Sequence, residues 1–231
     1  MEARFNQQKL VELCQWFNSL DKDVQINIID WLTDKEENLS FSPEESDKFE
    51  SLTNSITELI VQTNAEINTV EKELINAGLD KIVAIALIDF CAPLASPYLD
   101  AKILSKMKKT NLKKTVAFIL EHVILYNDFQ RQNLSDFVSL TGFKDAKSSY
   151  RVFVFLKHHY EAVARRQISI NSLTDILLQE FDLRQELVKE IVSPISENLL
   201  NMSISLVFRE LEAINENISE LTDRLDSIAK L

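Results

Sequence analysis

The chain has 231 residues, a formal net charge of −11 and 45% hydrophobic residues, a composition that excludes disordered and fibrous proteins. It contains only two glycines and four prolines, so the turn residues that sheets require are scarce, while helix-forming residues recur at helical spacing. The two cysteines, Cys14 and Cys91, lie far apart and outside any metal-binding spacing. We therefore predict an all-α, acidic protein of a reducing, cytoplasmic compartment.

The first 78 residues predict a helical hairpin followed by one long helix. Apolar residues over 5–32 are spaced as in two paired helices, with Asp21 as a cap between them. Ser42, Pro43 and Glu45 form a capping box with proline in the first turn, and Gly78 is a typical helix stop. These signals predict a helix of about 35 residues over 42–78.

The middle of the chain predicts seven shorter helices, over 79–92, 98–109, 111–127, 133–140, 144–165, 171–180 and 183–192. The stretch from Ile82 to Leu99 is the most apolar, but Asp89, Pro93 and Pro97 interrupt it. We predict a core helix and a turn there, and no membrane span. The chain then divides into an N-terminal hairpin (1–41), a long helix (42–78), a basic helical domain (79–192) and a C-terminal coiled-coil helix (193–231).

The C-terminal helix carries the most regular pattern. Ser193 and Pro194 are the predicted N-cap and first helical residue, which gives a second helix of about 37 residues. Four heptads without glycine, proline or charge on the apolar positions are typical of a coiled coil. We call these positions the seam: Leu200, Ile204, Val207, Leu211, Ile214, Ile218, Leu221, Leu225 and Ile228.

Two partners for the seam stay open at the level of sequence. One is another chain, with an oligomer number that the mixed a and d residues leave undetermined. The other is the helix predicted over 42–78, because it has nearly the same length and a partial heptad pattern of its own. The positions that flank the seam carry few opposite charges, so they favour neither choice.

Charge is unevenly distributed along the chain. Residues 102 to 166 contain thirteen Lys or Arg and five acidic residues, so the rest of the chain carries a net charge of −19. Such separation has two explanations: a surface for an anionic partner, whether protein, nucleic acid or lipid, or a solvated basic face that the acidic helices of the same chain neutralise. We call the candidate residues the basic set: Lys102, Lys106, Lys108, Lys109, Lys113, Lys114, Lys144, Lys147 and Arg151.

Within this region, residues 134–153 have the layout of a helix-turn-helix: a short helix, a Gly142-Phe143 turn and a basic helix. The segment resembles one helix-turn-helix of the AraC-type regulators, in which a Gly-Phe turn, a following Asp and a later Arg-Val-Phe recur at this spacing. It differs from that family at Ser148 and Ser149, where the family has aromatic residues, and it covers about 25 residues. The resemblance implies that Lys144, Lys147, Ser148 and Arg151 would face the major groove.

The sequence predicts no enzyme. His122, His158 and His159 lack metal-binding spacing, and no phosphate-binding loop or nucleophile motif is present. We predict no catalytic residue, cofactor or metal. The predicted function is a helical adaptor or assembly protein that binds other proteins and self-associates through the seam. The alternative is a dimeric nucleic-acid-binding regulator that uses residues 134–153.

Overall fold

A computed structural model describes residues 5–33, 41–130 and 133–229, without the side chains of residues 223 and 225–229. These residues form ten α-helices and no strand, which confirms the predicted all-α class. α6 and α9 each continue into a π-helical segment, Ile119–Leu125 and Ile176–Glu180 respectively. The helices are α1 (Gln7–Ser19), α2 (Lys22–Leu32), α3 (Pro43–Gln62), α4 (Ile67–Asn76), α5 (Lys81–Leu104), α6 (Lys109–Phe118), α7 (Leu134–Thr141), α8 (Ala146–Ala164), α9 (Ile170–Asp175) and α10 (Gln185–Ala229).

The helices belong to two compact units. One contains the described residues up to Leu99, and the other contains those from Asp100 onwards, so α5 contributes to both. The predicted segment 79–192 has residues in both units, whereas the predicted segment 193–231 belongs to the second.

The first unit is built from α1 to α4 and the first part of α5, and α2 contributes Ile28 to its core. Its core holds Leu10 and Phe17 from α1 with Ile56 from α3 and Leu87 from α5. The caps predicted at Asp21 and Ser42 are confirmed. The Asp21 side chain accepts a hydrogen bond from the backbone N–H of Asp23 at 3.0 Å, and Ser42 and Glu45 cap each other's backbone N–H groups.

The predicted long helix over 42–78 is wrong, because α3 ends at Gln62 and α4 begins at Ile67. Asn64 and Ala65 adopt positive φ angles of 53° and 61°, and the N–H of Ala65 donates to the carbonyl of Ile60 at 2.8 Å, which ends the helix as in a Schellman motif. The Thr63 hydroxyl also donates to the carbonyl of Leu59 at 2.9 Å. The break lets Val70 and Leu74 of α4 enter the same core as α3.

The turn predicted after residue 92 is also wrong, because α5 continues through Pro93 and Pro97 to Leu104. Each proline removes one backbone N–H donor, which frees the carbonyl four residues earlier. Both prolines are exposed, as is Asp89, so water can reach the freed carbonyl groups. The buried face of α5 meanwhile keeps Leu87, Cys91 and Ala95 in the core of the first unit.

The second unit packs α6 to α9 against the first half of α10. Tyr160 is fully buried and donates its hydroxyl to the carbonyl of Ile191 on α10 at 3.1 Å. Thr141 and Ser149 share a buried hydroxyl hydrogen bond of 2.7 Å that joins α7 to α8. Phe137 lies at the centre of an aromatic cluster, with ring centroids 5.6 Å from Phe118 and 5.4 Å from Phe153.

The predicted start of the C-terminal helix at Ser193-Pro194 is wrong by nine residues, because α10 begins at Gln185 and Pro194 lies inside it. The predicted helix over 183–192 is therefore the first part of α10. Leu187, Val188, Ile191 and Ile195 are buried on this part, and their packing outweighs the one hydrogen bond that Pro194 removes.

Candidate interaction surfaces

One face of α10 anchors the helix to its own unit. Met202 and Leu206 are at most 5% exposed, and they continue the buried row that begins at Ile191 and Ile195. This row keeps the four-residue and seven-residue steps of one helix face, so it forms a second apolar stripe on a different face from the seam.

Polar side chains on the same part of α10 bind the C-terminal carbonyl groups of two other helices. The Ser203 hydroxyl donates to the carbonyl of Ala164, the last residue of α8, at 2.9 Å. Arg209 donates to the carbonyls of Val123 and Ile124, and the Ser205 hydroxyl reaches Leu125 at 2.6 Å. Helix ends leave such carbonyls without intrahelical donors, so α10 completes the end of α8 and the end of the π-helical segment that continues α6.

The opposite face of α10 carries the seam, and its side chains are exposed. The Leu225 and Ile228 side chains lie outside the described residues. The other seam residues are 44% to 70% exposed, namely Leu200, Ile204, Val207, Leu211, Ile214, Ile218 and Leu221. Every residue from 210 to 222 is exposed, so this half of the helix has no packing partner among the described residues.

The intrachain partner considered for the seam was the helix over 42–78, and the apolar face of its first part, α3, is already buried. Leu52, Ile56 and Leu59, the apolar residues of α3, are at most 3% exposed and belong to the core of the first unit. α3 packs mainly against α1. Most heptad positions of the predicted helix over 42–78 are therefore used inside the first unit and are not free to cover the seam, whereas Ile67 is 43% exposed.

Acidic residues dominate the rest of the exposed half of α10. Glu212, Glu216 and Glu220 are exposed there, whereas Arg224 is the only described Lys or Arg between residues 210 and 224. Glu210 forms an ion pair of 2.7 Å with Arg165 and keeps about half of its side chain exposed. The apolar face is thus bordered by mainly negative charge.

The basic set is partly used inside the second unit. Lys109 pairs with Glu190 of α10 at 3.2 Å, and Arg151 donates to Asp100 at 2.5 Å. Burial raises the pKa of Asp100 by more than the Arg151 guanidinium lowers it. Lys102 is partly buried. The exposed members of the basic set are Lys106, Lys108, Lys109, Lys113, Lys114, Lys144 and Lys147.

The layout predicted for residues 134–153 is present. Gly142 ends α7 with a φ of 75°, and Asp145 caps α8 by accepting a hydrogen bond from the Ser148 N–H at 2.6 Å. Of the side chains expected to face a major groove, Lys144 and Lys147 are exposed. Ser148 is partly buried at the capped end of α8, and Arg151 is held by Asp100.

His159 and both cysteines are buried, whereas His122 is partly buried beside Asp128 and His158 is exposed. His159 is buried and donates from Nδ1 to the carbonyl of Phe155 at 2.8 Å, and burial lowers its pKa. Its neighbour Glu161 pairs with Lys157 at 3.0 Å. Burial raises the pKa values of Cys14 and Cys91 to about 12. Among the described residues, no three His, Cys, Asp or Glu side chains are grouped to hold a metal ion.

Two helices pass a test of length and composition for crossing a membrane. They are α5, with 44% of the tested window buried inside the protein, and the part of α10 up to Thr222, with 22% buried. This is weak support, because the core helix of a folded domain passes the same test. The predicted lack of a membrane span stays a prediction.

No protein-family model, curated protein or solved structure matches this chain. The resemblance of residues 134–153 to the AraC-type regulators thus gains no support from a family model.

Sequence reasoning missed the anchoring face of α10. Ser203, Ser205 and Arg209 contact carbonyl groups about 40 to 86 residues earlier in the chain, and such distant polar contacts leave no local signal. Met202 and Leu206 did offer one. They are apolar residues four apart and off the seam, which indicates a helix with two apolar faces rather than one.

Proposed function

We propose that the protein is a non-enzymatic helical adaptor or assembly protein that self-associates through the seam of α10. The observation that carries this proposal is the contrast between the two faces of α10. One face is buried and hydrogen-bonded within the second unit, and the other presents seven apolar side chains at heptad spacing to solvent. A contiguous exposed apolar surface bordered by charge is typical of a protein-binding site.

The length of the exposed half of α10 supports the proposal. Thirteen consecutive residues from 210 to 222 are exposed. An isolated helix of about 12 to 15 residues is marginal in water, because helices draw most of their stability from packing an apolar face. A partner on the seam supplies that packing, and a second copy carries the same heptad pattern.

The exposed lysines provide a second docking surface in this proposal. Lys106, Lys108, Lys113 and Lys114 lie on or beside the first turns of α6 and are all exposed. A cluster of cations on an otherwise acidic protein attracts an anionic partner. The adaptor would then bind itself through α10 and an acidic protein surface through these lysines.

The two free, buried cysteines also support an intracellular, reducing location. This location is part of the proposal.

The test is the mass of the intact chain by analytical ultracentrifugation over a range of concentrations. We expect the wild-type protein to be an oligomer and the double variant Leu211→Asp, Ile218→Asp to be a monomer with unchanged circular dichroism in the helical bands. Both positions are half exposed, so the acids should not disturb the unit itself. Glu212→Asp with Glu216→Asp, off the seam on the same helix, is the matched control and should keep the wild-type mass.

A wild-type mass equal to one chain at all concentrations would overturn the self-association proposal. An unchanged oligomer in the Leu211→Asp, Ile218→Asp variant would show that another surface carries the association.

A further inference from the structure

The seam allows two orientations for a pair of α10 helices, and the charges beside it distinguish them. In heptad terms Ile204, Leu211, Ile218 and Leu225 are a positions, with Val207, Ile214, Leu221 and Ile228 at d. In a parallel pair a faces a and d faces d, and charges at g face those at e of the partner. Glu210 and Arg224, both at g, would then face Asn215 and Ala229. The parallel pair therefore gains no ion pair.

The antiparallel register places these charges opposite one another. Aligning each a residue with a d residue of the second copy pairs Leu211 with Leu221 and Ile218 with Ile214, about a two-fold axis at residue 216. In this register positions at g lie across from each other, so Glu210 of each copy faces Arg224 of the other. Asn217 faces its own counterpart, and no like charges face each other at g. We propose that α10 pairs with α10 of a second copy in this antiparallel register.

The anchoring of α10 leaves room for that partner. Successive helix residues turn by about 100°, so the seam centres roughly 140° away from the face formed by Met202, Leu206 and Arg209. Those residues contact the unit. Ser203 and Glu210, which border the seam on its g side, also contact Ala164 and Arg165, so the unit lies beside the seam up to residue 210 and the seam is open from Leu211 to Leu221. The overlap from Ile204 to Ile228 spans about 37 Å at 1.5 Å per residue.

The ion pair between Glu210 and Arg165 is compatible with the proposed ion pair between Glu210 and Arg224 of the second copy. Its Oε1 atom bonds Arg165 at 2.7 Å while about half of the side chain stays exposed. A carboxylate has acceptor sites for more than one donor, so it can bridge Arg165 and the second copy's arginine at position 224. The Arg224 side chain is itself exposed.

This inference rests on the proposed self-association and is tested by distances between spin labels at the same residue of two copies. Asn201 and Glu216, both exposed, are changed singly to Cys in the full chain and labelled. The antiparallel register separates the two residue-201 positions by roughly 45 Å along the helix axis and brings the residue-216 positions level with each other. A parallel pair keeps both distances short and similar.

The native thiols do not interfere with this design. Cys14 and Cys91 are buried, and their pKa values of about 12 keep them as thiols, whereas the thiolate is the form that reacts. Unsubstituted protein carried through the labelling is the control, and it should take up no label.

A long residue-201 distance with a short residue-216 distance supports the antiparallel pair. Two short distances in a dimer overturn the register while leaving self-association intact. The lack of any distance between labels, together with a monomeric mass, overturns both proposals.

Charge reversal gives an independent check. Arg224→Glu places a second carboxylate opposite Glu210 at both ends of the antiparallel pair, and we expect a roughly three- to tenfold weaker association. Glu220→Arg, at an outward position of the same helix, is the control. An unchanged dissociation constant for Arg224→Glu contradicts the proposed pairing.

Discussion

At the residue scale, the most consequential polar contact is the pair of Asp100 and Arg151. The side chains are 9% and 24% exposed, and the bond length is 2.5 Å. Removing one member of such a pair leaves a charge without its partner in a largely dry site. We expect Arg151→Met to lower the free energy of unfolding by about 2 to 3 kcal/mol at neutral pH, measured by urea denaturation. Lys109→Met, which removes the more exposed pair with Glu190, is the control and should cost under about 1 kcal/mol.

The protonation of Asp100 in the same pair determines whether the stability of the folded protein rises or falls with pH. Burial raises the pKa of Asp100 in the folded protein above its ordinary value, so the folded state binds the proton more tightly than the unfolded state. Stability therefore falls as the pH rises from the ordinary value through the raised one. Losing Arg151 raises this pKa further, so the cost of Arg151→Met should be smaller near about pH 4 than at pH 7. An equal cost at both values, or one that persists in an Asp100→Asn background, contradicts this account.

At the scale of the element, α10 is a helix with two apolar faces that should respond differently to the same substitution. Leu206 is 5% exposed and Leu211 is 50% exposed. We expect Leu206→Ala to lower the free energy of unfolding of the second unit by about 2 to 4 kcal/mol, because it leaves a cavity. Leu211→Ala should change that value by under about 1 kcal/mol in the monomer and should instead weaken association. Denaturation at low protein concentration and sedimentation at high concentration separate the two effects, and equal unfolding costs would contradict the two-face description.

Local signals predicted the helical class and the caps of α2 and α3, whereas packing between distant residues decided where several helices begin and end. The caps at Asp21 and Ser42 were readable because donor and acceptor lie two or three residues apart. The break after Gln62 was not, because Asn64 and Ala65 carry no strong turn signal and adopt left-handed backbone angles. Pro93 and Pro194 misled the prediction, since proline usually marks a helix boundary. Both helices continue because buried neighbours such as Leu87 and Ile195 hold them.

At the scale of the whole molecule, the uneven distribution of charge is the reason to test the alternative function, nucleic-acid binding. Residues 102–166 carry thirteen Lys or Arg in a chain of net charge −11, but Arg151 is held by Asp100 and Lys109 by Glu190. We therefore expect no binding to mixed-sequence DNA or RNA at physiological salt in fluorescence-anisotropy titrations. Binding whose log affinity falls steeply with log salt, and which Lys113→Glu with Lys114→Glu abolishes, would establish a nucleic-acid surface instead. Lys48→Glu with Lys72→Glu in the first unit is the matched charge control.

The capping of α6 and α8 by α10 has a consequence for how the chain acquires its structure during synthesis. Among the described residues, the core of the first unit uses none beyond Leu99, so the chain up to Leu99 contains the parts of that core while the ribosome is still translating the remainder. The core of the second unit includes Met202 and Leu206, and Arg209 donates to its carbonyl groups. Until this part of α10 has left the exit tunnel, the carbonyl groups that it caps lack these hydrogen-bond donors. A nascent chain stalled before Met202 should thus hold one finished unit and one that a protease or a chaperone still recognises as incomplete.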